Sequence, residues 1–137
     1  MAVCRLGWMN RPVRPVGVAG PAAAYELAVV TEPGGRLLHT AGIVGSRPDG
    51  SISDEAGEQA SEAWRTITAV LAEAGFEATD IVSYITYLVE GEDPVQVMTV
   101  RDAFFDGHTA ASTLVFVPAL ARPEWKVEIA AIAARDD

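Results

Sequence analysis

The chain has one cysteine, Cys4, in 137 residues. An intramolecular disulfide is therefore excluded, and no cage of thiolates can hold a metal. Histidine is equally scarce. His39 and His108 are too few and too far apart for a zinc set with Cys4, and neither suggests the order of a Ser-His-Asp triad. No stretch reaches the roughly 18 apolar residues of a membrane helix. Arg5, Arg11 and Arg14 near the start are interrupted by Pro12, Pro15 and Gly17, a pattern that argues against a secretory signal. Positive charge is in short supply, with ten basic against nineteen acidic residues and a formal net charge of −9. Such a chain repels phosphate backbones, and it has no basic run interleaved with aromatics, so general nucleic-acid binding and ribonuclease action have no support. The glycines form neither a phosphate loop nor a dinucleotide fingerprint. These absences predict a cytoplasmic protein with no cofactor, no metal, no nucleic-acid partner and no membrane partner.

What is present is apolar. Half of the residues are hydrophobic and only 21% are charged, which suits extra burial between subunits and weakly favours an oligomer. The length predicts one domain over residues 1–137, with residues 1–16 as an irregular lead-in and the whole of residues 1–24 read as irregular or short-strand. Strand propensity runs from Tyr25 to Thr31, and Glu32-Pro33-Gly34-Gly35 is a turn signal before a second strand from Arg36 to Val44, so a hairpin is expected. Ala60, Ala63, Trp64, Ile67, Val70, Leu71 and Ala74 recur at helical spacing. They predict a helix over 54–74, capped by Ser53 or Asp54 and ended by Gly75. A strand over 81–89 follows, then a helix from Pro94 to about Asp106 with Val97, Val100, Ala103 and Phe104 on its face. Strands over 113–117 and 127–134 close the pattern. It reads as α+β, with helices packed on one face of a mixed sheet.

Several of these segments also carry a resemblance. Lys126-Val127-Glu128-Ile129-Ala130-Ala131-Ile132-Ala133 is similar to the hydrophobic-Glu-Ile-Glu-Ala-Ile-Ala last strand of the Rid/YjgF family, whose members are also called endoribonuclease L-PSP-like. Tyr25 to Val30 resembles that family's Tyr-containing first strand, and His39-Thr40-Ala41-Gly42-Ile43 its Ser-Gly-Gln turn, with Ala41 for Ser and Ile43 for Gln. Gln59, Gly75, Asp80-Ile81-Val82, Asp93 and Phe104-Phe105 fall in the family's order, and the likeness runs from about residue 17 to residue 135. The chain departs from the pattern where the family has a Pro-Ala-Arg-Ser-Thr-like run. It reads Ala110-Ala111-Ser112-Thr113-Leu114-Val115-Phe116-Val117, so Ser112, or Ala111 in a register slipped by one, takes the arginine's place. The resemblance implies a chorismate-mutase-like fold: a mixed sheet with two helices on one face, in a homotrimer with a central β-barrel. It also implies a small metabolite bound in clefts between subunits, with hydrolysis of reactive enamine or imine intermediates.

The site residues carry alternatives of their own. Strand alternation places Glu128, Ala130 and Ile132 on one face, and a carboxylate among such neighbours can act as an acid/base or hold a water. The resemblance gives Glu128 the role of orienting water. The plain alternative is a sheet-face ion pair, for instance with Lys126 of a neighbouring copy. Tyr25 is a packing tyrosine on its own and a cleft-lining one by resemblance. Ala41, Gly42, Met98 (where relatives have Asn), Ser112 and Thr113 are expected to line the same cleft, with Ser112 as lining and not as nucleophile, since no activating base is near. An arginine clamps a carboxylate bidentately, worth about 2 to 5 kcal/mol when its partner would otherwise be buried unpaired. Its absence makes carboxylate-bearing imines doubtful substrates and points to a less anionic one. Arg101, expected on an exposed helix face, and Arg122, in the loop before the last strand, are the nearest substitutes. A non-catalytic ligand-binding or interaction module is the alternative to an enzyme, and a chaperone-like role through apolar surface ranks behind both.

Overall fold

The computed structural model describes residues 10–32 and 35–136. Cys4 and the Pro33-Gly34 part of the expected turn lie outside the described residues. Among these residues seven strands and two α-helices follow in the order β1 (Asn10–Val13), β2 (Ala28–Thr31), β3 (Arg36–His39), β4 (Ile43–Val44), α1 (Ala56–Ala74), β5 (Ile81–Val89), α2 (Pro94–Phe105), β6 (Ala111–Val117) and β7 (Val127–Arg135), with a 3-10 turn over Ala78–Asp80 leading into β5. The main sheet has the order β3-β7-β5-β6, and β4 also pairs with β7. β5 and β6 are parallel, whereas β7 is antiparallel to β3, β4 and β5. This is the mixed α+β architecture expected, with both helices on one face.

The strand pairing near the start differs from expectation. β2 pairs with β1, a short strand within the lead-in, and β3 pairs with β7, so the hairpin over 25–44 does not form. Leu38 on β3 pairs with Ala133 and Ile43 on β4 with Ile129, and both pack on the core. A two-stranded hairpin offers apolar residues no such burial. Tyr25 precedes β2 instead of lying within it.

α1 buries Ala60, Ala63, Trp64, Ile67 and Leu71 against Tyr84 and Leu88 of β5 and Val127 and Ile129 of β7. Its first turn carries no side-chain cap: Glu55 is the N-cap, and Ser53 Oγ accepts from Glu55 N–H at 3.0 Å one step earlier. Gly75 ends the helix with φ 80°, donating to Ala72 O at 3.1 Å. The fully buried Gln59 ties three segments together. Its Nε2 donates to Ser53 O and Glu124 O at 2.7 and 2.9 Å, and its Oε1 accepts from Lys126 N–H at 2.9 Å.

Asp93 caps α2 by accepting from Val95 N–H at 2.9 Å, and Pro94 follows at the first position. The buried stripe of α2 is Val97, Arg101 and Phe105, while Ala103 is exposed and Val100 and Phe104 are half-buried. The expected face is thus turned by one residue. The cause is aromatic packing, because Phe104 stacks on Trp64 at 4.3 Å while Phe105 meets both Trp64 and Tyr84.

Candidate functional site

Pairing register decides which side chains share a face. Tyr87 lies opposite Glu128, Ile85 opposite Ala130 and Thr113, and Tyr87 opposite Val115. All of these point away from the helices, because the alternate residues Tyr84, Leu88, Val127 and Ile129 form the core. The far end of that outer face is covered, where Val29 of β2 packs with Val82, Ile132 and Ala134. The rest is open, and Ile85 and Val115 are 38% and 37% exposed.

Glu128 stands half-buried on this open face beside an irregularity in β3–β4. Thr40 N–H donates to Ala131 O at 2.9 Å and Ala131 N–H to Thr40 Oγ at 2.9 Å, while Ile43 pairs with Ile129. The two residues Ala41 and Gly42 therefore oppose the single residue Ala130, a β-bulge of the kind that re-aims side chains at the margins of sites. Gly42 has a local purpose here. A Cβ at this position would fall 2.4 Å from Glu128 Oε2 and 2.7 Å from its Cδ, so the carboxylate occupies the space that glycine leaves. The last-strand run keeps only the first of its two acidic positions, and Ala130 fills the second on the same face. Lys126 is not the partner of Glu128 within the chain, since its Nζ bonds Asp54 O at 2.5 Å and approaches Glu92 at 3.9 Å.

Ser112 lies elsewhere. It pairs with Tyr84, so it sits on the helix side of the edge strand β6, and Thr113 points to the open side. Tyr25 comes close to it from the N-terminal segment: Glu26 bridges Ala111, and its N–H donates to Ala110 O at 2.8 Å. Glu26 is 4% exposed. It is held by Arg14 at 2.5 Å and by the Thr109 hydroxyl at 2.7 Å, and Arg14 holds its carboxyl below the usual carboxylate range against the opposing effect of burial. Tyr25 is half-buried beside a pocket of about 180 Å³ shared with Arg14, Val18, Pro21 and Leu27, and its hydroxyl accepts from Ala22 N–H at 3.2 Å. Met98 is half-buried on α2.

The expected site residues thus divide across the sheet: Glu128 with Ala41 and Gly42 on the open face, which Thr113 shares, and Ser112 on the helix side, with Tyr25 on the segment beside β6 and Met98 on α2. A single chain does not bring them together. Sequence reading placed Arg101 wrongly. Arg101 is 6% exposed and lies under the sheet, because it shares the buried stripe of α2 with Val97 and Phe105 at intervals of four. Arg122 is solvated, 4.0 Å from Glu124 and stacked over Trp125 at 5.4 Å. His108 Nε2 donates to the main chain at Ile81 O, 2.9 Å away. Among the described residues no cluster of three His, Cys, Asp or Glu side chains suits a metal, and no helix is long and apolar enough to cross a membrane.

A family model described as Endoribonuclease L-PSP matches residues 17–135. Among solved structures, YyfB of Yersinia pestis, a Rid-family protein of unknown function, is 29% identical over 91% of this chain and 98% of its own, with a TM-score of 0.79. NMB1025 of Neisseria meningitidis, a YjgF-family member, is 31% identical over 86% and 92%, with a TM-score of 0.66. The YjgF gene product of E. coli is 25% identical over 95% and 97%, at 0.68. The comparison with curated proteins finds no match.

Proposed function

The chain belongs to the endoribonuclease L-PSP family, the Rid/YjgF group, and from that premise we propose that it binds a small metabolite in clefts between copies of itself and hydrolyses enamine- or imine-type compounds there. The observation that carries this reading is the division of the site over the two faces of one sheet. Glu128 and Ser112 can act on one ligand only if different copies contribute them. The open apolar face around Ile85 and Val115 supports a homotrimer that closes over it.

In this reading the Glu128 carboxylate, seated over Gly42, orients the attacking water, and main-chain groups near Gly42 and Ser112 hold the ligand, with Tyr25, Ala41, Met98 and Thr113 as lining. The protein works without a bound cofactor and in the cytoplasm. Strand β6 brings no guanidinium, so a ligand carboxylate is not held as the resemblance implies for the family. A non-catalytic binding module is the second reading, favoured by Ala130 at the second acidic position of the last-strand run.

Ammonia release from freshly generated 2-aminoacrylate or 2-iminobutanoate separates the two, with wild type, Glu128→Ala and Ser112→Arg compared and assembly followed by sedimentation. The enzyme reading expects turnover that Glu128→Ala abolishes while the assembly persists. Silence in wild type and in Ser112→Arg moves the assignment to the binding module, and a monomer at micromolar concentration sinks the intersubunit cleft.

A further inference from the structure

Hydrolysis of an imine sets two proton tasks at one centre. The attacking water must lose a proton, and the imine nitrogen must gain protons before it can leave as ammonia. An ionised carboxylate only accepts, so Glu128 by itself serves the first task. Directly across the sheet it has two partners, Val44 on β4 and Tyr87 on β5. Val44 has no polar side-chain atom. Tyr87 brings a phenol, which both donates and accepts. Residues so opposed have Cβ atoms about 4.5 to 5.5 Å apart. Both side chains are half-buried on the open face, and neither tip bonds another described residue, so each is available to a ligand.

Other donors of the chain are further off or engaged. Ala130, next on the face after Glu128, has none. Thr113 is opposite Ile85, one strand beyond β5. His39 pairs with Ile132, four residues along β7 from Glu128, which is roughly 13 Å at the rise of an extended strand. Lys126 is held by Asp54 O and Glu92. We propose that Tyr87 is the general acid of the Glu128 site, giving a proton to the imine nitrogen as Glu128 takes one from water. In the first step the water oxygen bonds the imine carbon and the C=N π pair moves to nitrogen. Glu128 gains the water proton, and the Tyr87 proton goes to nitrogen. In the second step the carbinol O–H returns a proton to the Tyr87 phenolate, and the proton on Glu128 passes to nitrogen. The C–N bond breaks as C=O forms, ammonia leaves, and both side chains end as they began. The inference rests on the hydrolytic reading above and names a second reacting group for it.

Tyr87→Phe removes the hydroxyl and keeps the ring. Ammonia release from freshly generated 2-iminobutanoate is compared with the parent, which is wild type or, where wild type is silent, Ser112→Arg. The variant should lose about 100-fold or more in kcat, with KM within about twofold of the parent and sedimentation unchanged. Its deficit should also widen by up to about tenfold per unit of rising pH, since solvent must then supply the proton. A kcat within about threefold of the parent, where Glu128→Ala is inactive, overturns Tyr87 alone and leaves the Glu128 reading standing. A loss that is equal at every pH, or a loss of assembly, assigns the hydroxyl to packing and overturns the inference too. Silence in both parents, or full activity in Glu128→Ala, overturns the hydrolytic reading and this inference with it.

Discussion

Gly42→Ala asks whether the position of the Glu128 carboxylate matters separately from the stability of the fold. The added Cβ meets Oε2 at 2.4 Å, against an ordinary contact of 3.4 Å or more, so the carboxylate must retreat by 1.0 Å. Gly42 does not use the left-handed backbone region, so alanine meets no conformational penalty there. The atoms in the way end a flexible, half-buried side chain, and the stability change should stay within about 0.5 kcal/mol. Gly45→Ala is the control. Its Cβ would fall 2.5 Å from both Cα and O of Gln59, main-chain atoms of α1 that cannot swing aside, and overpacking of that kind costs about 1 to 3 kcal/mol or more. Urea unfolding should therefore separate the two variants clearly. Imine hydrolysis, or ligand affinity for a pure binder, should show the reverse order for Gly42→Ala. A carboxylate misplaced by this distance can cost about 100-fold in rate. Full activity in Gly42→Ala would refute the role given to Glu128, and a stability loss equal to that of Gly45→Ala would refute the claim that its side chain is free to yield.

Three further outcomes follow from the same contacts. Glu26→Gln should lower stability at neutral pH by about 1 to 3 kcal/mol, because a buried carboxylate acceptor is lost to Arg14 and Thr109. Since the folded carboxyl sits below its unfolded value near 4.3, this contribution is present above that value and lost as pH falls through the lower folded one. Unfolding curves of wild type and variant should thus converge below about pH 4. Gln59→Ala strands two carbonyls and the Lys126 N–H and should cost about 2 to 4 kcal/mol in urea titration. Ile85→Asp puts a charge in the middle of the open sheet face and should shift sedimentation to monomer, whereas an unchanged assembly would mean that copies meet elsewhere.

Local chemistry made much of the fold legible. β5 follows a run rich in β-branched and aromatic residues, and α2 starts where Asp93-Pro94 must cap it. Pairing partners were not legible, because β3 leaves its sequence neighbour for β7 at the far end of the chain, and only the packing of Leu38 and Ile43 against the core decides that choice. The site divides along the same line. Gly42 and Glu128 are visible in sequence, but the bulge that joins them is a mismatch of register between distant segments. Arg101 left a readable trace, four residues from Val97 and four from Phe105, yet a charged residue on a helix is solvated so often that the apolar period was read without it.

The edge strand β6 has a bearing on how this chain keeps its native partners. From Ala111 to Val117 it carries no charged residue, and Phe116 is 48% exposed. Among the described residues, the strand pairing on its outer side is the single bridge from Glu26 to Ala111, pinned by Arg14 and Thr109. A bare apolar edge is a template for another chain's strand. The Arg14–Glu26 clasp therefore acts as a guard against aggregation as well as a stabilising contact. Proteolytic loss of the segment before β2 would expose the full template, and precipitation should then precede any loss of the core.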